Sequence, residues 1–193
     1  ISYSFPKTSY SEEIRDIISS IESGIELSNT DLSKLFYASG SQIDDIASIA
    51  DDIRKNVNGE EVSFVINRNI NYTNQCYYKC GFCAFSKGPQ SLSLKEKPYS
   101  LSIDQVVERS IEAANKGATE VCLQGGIHPE YTGAFYLELV KEIRKELPDI
   151  HIHGFTPLEI WQGAETIGLN VTDYLILLRD AGLNTLPGTA AEI

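Results

Sequence analysis

From Val62 onward, short apolar runs alternate with helix-patterned stretches, which restricts this part of the chain to strands joined by helical crossovers in a parallel sheet. Val62-Ser63-Phe64-Val65-Ile66 reads as a first strand, Glu120-Val121-Cys122-Leu123 as a second and Ile150-His151-Ile152-His153 as a third, with a weaker fourth at Asn184-Thr185-Leu186. The helices between them carry their own start and stop signals. Ser102 with Gln105 makes a capping box for a helix through Val106, Val107, Ile111 and Ala114, closed by Gly117. Phe135, Leu139, Val140 and Ile143 mark the next, ended before Pro148. Thr156-Pro157-Leu158-Glu159 supplies an N-cap, a proline at the first helical position and a capping-box acid. Asn170 opens a last helix through Tyr174, Leu175 and Leu178 to Gly182.

The first sixty residues have a different period. Ile14, Ile17, Ile18 and Ile21 recur at helical spacing before Gly24, and Thr30 can cap a short helix through Leu32, Leu35 and Phe36 that closes near Gly40. Ile46, Ala50, Ile53 and Val57 make a third stripe, stopped by Gly59. The expected organisation is a linker and first helix over 1–24, a helical segment over 25–60 and a strand–helix core over 61–193.

Parallel α/β folds place their chemistry at the carboxyl ends of the strands. The unusual residues of this chain follow its strands. The cysteine loop comes after the first, Gln124-Gly125-Gly126-Ile127-His128 after the second, Gly154-Phe155-Thr156 after the third and Pro187-Gly188-Thr189 after the fourth. No G-x-G-x-x-G or P-loop follows any of them, which argues against a nucleotide-binding doubly wound sheet.

The cysteine loop reads Cys76-Tyr77-Tyr78-Lys79-Cys80-Gly81-Phe82-Cys83, a C-x-x-x-C-x-x-C spacing. Three thiolates on a short loop can ligate three irons of a cubane and leave one iron open to chelate an amino and a carboxylate group. Gly81 lets the chain bend beside the sulfurs, and Phe82 can offer a flat face to an adenine. The bland alternative is a zinc knuckle, which needs a fourth ligand from His128 or Cys122. Cys122 sits mid-strand among apolar residues and reads as a buried core thiol. The spacing together with Phe82, the preceding strand and the downstream glycines favours the cluster over zinc.

Charge fits that reading. The chain carries 16 Lys and Arg against 27 Asp and Glu, net −11, which argues against a nucleic-acid partner, whose phosphates need a basic face. Residues 61–100 nonetheless carry 5 basic and 2 acidic side chains, surroundings suited to an anionic thiolate cluster, although lysines in a solvated loop explain the same excess. No run of 18 or more apolar residues occurs, so no membrane partner is expected. Cysteines crowded in an acidic chain point to metal binding in a reducing compartment, the cytoplasm. The chain starts at Ile1, so N-terminal targeting is not read from it.

The cysteine loop resembles that of radical S-adenosylmethionine (SAM) enzymes. The longer string Asn67-Arg68-Asn69-Ile70-Asn71-Tyr72-Thr73-Asn74, followed by the cysteines and Ala84-Phe85-Ser86, is similar to the branch holding the tyrosine-dependent component of FO synthase and the futalosine-pathway enzymes of menaquinone biosynthesis. Gly154-Phe155-Thr156-Pro157-Leu158-Glu159 and Leu186-Pro187-Gly188-Thr189-Ala190-Ala191-Glu192-Ile193 look like the FO synthase side. The resemblance implies a partial (β/α)6 barrel, here truncated after about four strands behind a helical N-terminal segment. It implies a 4Fe-4S cluster on Cys76, Cys80 and Cys83, with SAM held near Phe82, Gln124, Gly125 and Gly126. Ile127 stands where the family usually has a glutamate after the glycine pair. The implied activity is a transferase reaction of deazaflavin (coenzyme F-420) biosynthesis, joining the 4-hydroxybenzyl group of L-tyrosine to 5-amino-6-(D-ribitylamino)uracil. It implies two further partners, a reductant protein and a ring-closing component, separate or fused.

His128 can be a ligand or substrate contact, or an ordinary loop histidine beside Pro129; His151 and His153 alternate on one strand and share a face, from which one can point into the barrel, although a hydrogen-bonded core histidine is the favoured reading of each. Glu159 can touch the SAM ribose or tyrosine, but its capping box explains it without function; Tyr72, Thr73 and Asn74 either line a substrate cavity or shape the cysteine loop.

Overall fold

A computed structural model of the protein describes residues 12–78, 80, 83, 85–86 and 97–188. The chain divides into two compact units, Ile1–Ser63 and Phe64–Ile193.

The first unit holds α1 (Glu12–Glu22), α2 (Asn29–Phe36) and α3 (Ser41–Asn58). Ile14, Ile18 and Ile49 are buried together, with Ile21, Leu35, Ile46 and Ile53 packed around them. The apolar stripes of α1 and α3 thus form a small core of their own. The cap of α2 is Ser28, not Thr30: its side chain accepts from the Asp31 N–H and the Asp31 carboxylate accepts from the Ser28 N–H. Ser-x-x-Asp satisfies two orphan donors reciprocally, whereas Thr30 has only Ser33 three residues on and so lies inside the first turn.

The second unit is built on a parallel sheet in the order β1 (Asn67–Asn71), β2 (Glu120–Gln124), β3 (His151–Gly154). The register pairs Arg68 with Val121 and Ile70 with Leu123, then Val121 with Ile152. Around it run α4 (Ile103–Asn115), α5 (Gly133–Glu146), α6 (Pro157–Thr166) and α7 (Val171–Ala181). Ile70, Val121, Leu123 and Ile152 face these helices and form one core with Val106, Leu139, Val140, Ile143, Ile160, Tyr174 and Leu178. Strands followed by helices, with the helices on one face, are the repeating unit of an open α/β barrel.

Three strand expectations need correcting. The first strand is Asn67–Asn71, starting directly after the apolar run Val62–Ile66 rather than within it. Val62 is 91% and Phe64 82% exposed, and the ladder begins at the Ile66 carbonyl, which accepts from the Thr119 N–H. An apolar run becomes a strand only where a neighbour offers a matching row of donors and acceptors. The weak fourth strand is a single parallel bridge between Thr185 and His153. Cys122 is not a core thiol: Val121 and Leu123 point into the helices, so Cys122 points the other way, half-buried beside Asn69 and His153.

The capping boxes of α4 (Ser102, Gln105) and α6 (Thr156, Glu159) form as expected, Asn170 caps α7, and Gly182 ends it in the left-handed conformation at φ 116°. Ser102→Ala removes the acceptor of the Gln105 amide, 3.2 Å away. At about 1 kcal/mol per cap, that amide is expected to exchange with solvent deuterium about five-fold faster, measured by NMR or mass spectrometry. Among the described residues, no helix is long and apolar enough to cross a membrane.

Candidate active site

The ends of the three strands meet beside the cysteine loop, and the chain around that loop is held by buried polar side chains. Thr73 and Asn74, which follow β1, are fully buried. The Thr73 hydroxyl donates to the Tyr99 carbonyl (2.8 Å), accepts from the Gln75 N–H (3.1 Å) and lies 3.0 Å from the Ser100 hydroxyl. The Asn74 amide accepts from the Tyr99 N–H (2.8 Å) and donates to the Lys97 carbonyl (3.1 Å). The Tyr99 hydroxyl closes the set on the Asn71 carbonyl at 3.1 Å. Both side chains are therefore spent in fastening the segment before Cys76 to the segment 97–100; they shape the loop. A buried network with every member paired is rigid.

The loop after β2 lies directly against it. Gly126 donates its N–H to the Thr73 carbonyl (2.9 Å), and Tyr77 donates to the Ile127 carbonyl (3.1 Å). A Cβ added at Gly126 would fall 2.9 Å from the Cys76 Cβ and closer still to the Gln75 carbonyl. One at Gly125 would fall 2.5 Å from the Tyr72 ring. The glycine pair is there for close approach, which any side chain would block.

Glu159, the capping-box acid of α6, does more than cap. It is wholly buried, its Oε2 accepts from the Thr156 N–H (2.7 Å), its Oε1 is the partner of the Tyr72 hydroxyl, and the Gly125 N–H also donates to it. One carboxyl thereby joins the chain just past all three strands. Burial pushes it up to about 8, against the pull of the Thr156 and Gly125 amides. The sequence marks only the cap; a capping acid placed right after a strand, on the predicted rim, is the signal that hints at more. Phe155, fully buried at φ 68°, holds the left-handed conformation that carries the chain from β3 into this cap. Such a non-glycine residue is strained by about 1–3 kcal/mol.

Cys76 and Cys83 are half-buried and Cys80 is exposed, all as free thiols. The Cys83 N–H donates to the Cys80 carbonyl at 3.1 Å. Tyr77 and Tyr78 stack at 4.6 Å, and burial together with Tyr78 raises the Tyr77 phenol. Phe82 and Gly81 lie outside the described residues. Gln124 ends β2, half-buried, with its carbonyl accepting from the Tyr72 N–H at 3.3 Å.

His128 is buried. Its Nδ1 accepts from the Glu130 N–H (3.2 Å) and its ring stacks on Tyr131 at 4.3 Å, which stacks on Phe135 at 3.8 Å. Burial lowers its proton affinity, partly offset by Glu130. Among the described residues no three His, Cys, Asp or Glu side chains converge on a single-ion site. A cubane sets different demands, since its three thiolates bind separate irons on one loop. The donor set here is three free thiols on one loop, with a glycine-only contact beside the first of them, and it fits that group.

The chain matches the family model described as the radical SAM superfamily over residues 70–190. It is 47% identical over 159 residues to FO synthase of Mycobacterium tuberculosis, covering 82% of this chain and 18% of that protein. It is 48% identical over 144 residues to the 5-amino-6-(D-ribitylamino)uracil–L-tyrosine 4-hydroxyphenyl transferase of Methanopyrus kandleri, covering 75% of this chain and 38% of that protein. The chain thus spans well under half the length of these relatives. Among solved structures, it superposes on methylornithine synthase (TM-score 0.56, 18% identity, 86% of this chain and 56% of that one). It also superposes on the FeFe-hydrogenase maturase HydG from Carboxydothermus hydrogenoformans (TM-score 0.60, 17% identity, 91% and 47%). At those identities the likeness is one of fold.

Proposed function

Because this chain belongs to the radical SAM superfamily, whose enzymes use a 4Fe-4S cluster and SAM, we propose that the protein containing it transfers the 4-hydroxybenzyl group of L-tyrosine to 5-amino-6-(D-ribitylamino)uracil. The observation that carries this reading is the near-half identity to a protein named for that transfer, spread over three-quarters of the chain. The product would pass to a ring-closing component, separate or fused, in deazaflavin biosynthesis, and a reductant protein would supply electrons.

When bound, the cluster and SAM supply one-electron cleavage of a sulfonium carbon–sulfur bond, the source of a carbon radical. The residues of this chain bind and position. Cys76, Cys80 and Cys83 are the ligands of three irons. Gly125 and Gly126, with the end of β2 at Gln124, bring backbone carbonyls to the methionine amino group of SAM, a role left to backbone because Ile127 has no carboxylate. Phe82 flanks the adenine. Thr73, Asn74 and Glu159 touch neither cofactor in this reading; they fix the backbone that does, so that little reorganisation is needed when the donor binds.

The test uses the full-length enzyme, reconstituted without oxygen and incubated with SAM, a reductant, tyrosine and the ribitylaminouracil. The expected result is deoxyadenosine release that requires tyrosine, together with a tyrosine–uracil adduct seen by mass spectrometry. Release that ignores tyrosine and responds to a futalosine derivative would overturn the proposal in favour of a menaquinone-pathway enzyme. A colourless protein holding one zinc would overturn both.

A further inference from the structure

The sheet face opposite the helices has an unusual composition. In register it presents Asn67, Glu120 and His151, then Asn69, Cys122 and His153, then Asn71 and Gln124, with Thr185 alongside β3. Not one of these is aliphatic or aromatic beyond imidazole. The inward face of a packed barrel is instead filled with branched apolar side chains.

The row farthest from the cysteine loop satisfies itself. Asn67 donates to Glu120 (3.2 Å), and His151 Nε2 lies 2.8 Å from the Thr185 hydroxyl and 3.8 Å from Glu120. The rows nearer the loop do not. His153 uses Nδ1 on the Thr185 hydroxyl (2.6 Å) and Asn69 donates to Asn71 (3.2 Å). Among the described residues, His153 Nε2, the Asn69 side-chain oxygen, the Cys122 thiol and the Gln124 side-chain amide make no hydrogen bond within the chain and stay open to solvent, Asn69 exposed and the other three half-buried. Each polar group left bare on closing the site from water is costly, so this row calls for an occupant with several donors and acceptors on one edge.

Resting on the reaction proposed above, we infer that the row Asn69–Cys122–His153, with Gln124 above it, binds the pyrimidine substrate rather than tyrosine. A ribitylaminouracil carries ring carbonyls, N–H groups, an amine and a chain of hydroxyls, and can pair with amide, imidazole and thiol together. The phenol end of tyrosine offers one hydroxyl and six ring carbons to the same surface, and its ammonium and carboxylate find no Asp, Glu, Lys or Arg in the row Asn69–Cys122–His153 to oppose their charges. It would leave most of these groups unpaired, and a site built to hydrogen-bond discriminates strongly against a ligand that cannot.

The test compares full-length wild type with Asn69→Leu, His153→Leu and His153→Gln. Cluster content and the melting midpoint establish that each variant is folded and loaded. The two leucine variants are expected to raise KM for the ribitylaminouracil at least ten-fold while KM for tyrosine stays within two-fold. Equilibrium dialysis against the ribitylaminouracil is expected to show the same loss, and His153→Gln, which keeps a side-chain donor and acceptor, is expected to recover most of it. An unchanged uracil KM in both leucine variants, or a rise in the tyrosine KM instead, overturns the inference alone, since wild-type adduct formation leaves the function standing. Wild type that makes no adduct overturns both. If the leucine variants do not fold, Asn69→Ser and His153→Ala take their place under the same criteria: a uracil KM unchanged in both, or a rise in the tyrosine KM instead, overturns the inference.

Discussion

Full-length enzyme carrying Gly126→Ala is expected to lose its iron–sulfur cluster as completely as enzyme carrying Cys76→Ala, although alanine removes no ligand. The added methyl would lie 2.9 Å from the Cys76 Cβ and closer to the Gln75 carbonyl, both shorter than carbon atoms tolerate. The Gln75 neighbour is fastened on two sides. The Gln75 N–H is held by Thr73 (3.1 Å) and its side-chain amide by Ser100 (3.1 Å), and Gly126 is itself tied to the Thr73 carbonyl. Overpacking of this kind costs about 1–3 kcal/mol in ordinary cores. Here the displaced atom is one bond from a cysteine sulfur, and cluster assembly depends on where that sulfur lies. Iron and acid-labile sulfide after anaerobic reconstitution, with the visible absorption of the cluster, measure the effect. Gly188→Ala, with nothing among the described residues within 4 Å of the added atom, is expected to keep its iron. A Gly126→Ala protein with a full cluster would show that the second strand's loop does not support the cysteine loop.

Glu159→Ala is expected to lower the thermal midpoint by about 6–12 °C. The substitution strands three buried donors, the Tyr72 hydroxyl and the Thr156 and Gly125 amides. Each orphan costs about 1–3 kcal/mol, and with partial relaxation about 3 kcal/mol in all, which a domain of this size registers at about 2–4 °C per kcal/mol. The pH dependence separates the carboxyl's charge from its shape. In the folded protein the group keeps its proton up to about 8, and in the unfolded chain it releases it near 4.5. Folding therefore takes up a proton between those values. The contribution of Glu159 is greatest below 4.5, declines as pH rises through the window by up to about 1.4 kcal/mol per unit, and is level above 8. Glu159→Gln has no proton to gain, so the stability difference between wild type and this variant is expected to drift against wild type from pH 5 to pH 8 in denaturant titrations. A difference that does not move across that range would mean the three donors hold the carboxylate charged.

How much of this was legible beforehand depended on the range of each interaction. Ser102–Gln105, Thr156–Glu159 and Asn170 could be read because a cap is made by residues three apart on one segment. Thr30 misled for a local reason too: Ser28 and Asp31 formed the better reciprocal pair. The strand at Val62–Ile66 misled for a different one. Its side chains suit a strand, but strand formation is decided by the partner, and β2 pairs with Asn67–Asn71. Cys122 was placed with its sequence neighbours Val121 and Leu123, from which the pleat separates it.

The order of residues by itself determined the alternation of strands and helices, the helix caps and a trio of thiols spaced for three metals on one loop, because each of these is complete within a dozen residues. Tertiary structure alone decided that Glu159 would reach Tyr72 and Gly125, that Gly126 would have no room for a methyl group, and that asparagine, cysteine and histidine would line one polar face. Those facts join positions 30 to 90 residues apart, and only pairing three strands in one register brings them into contact.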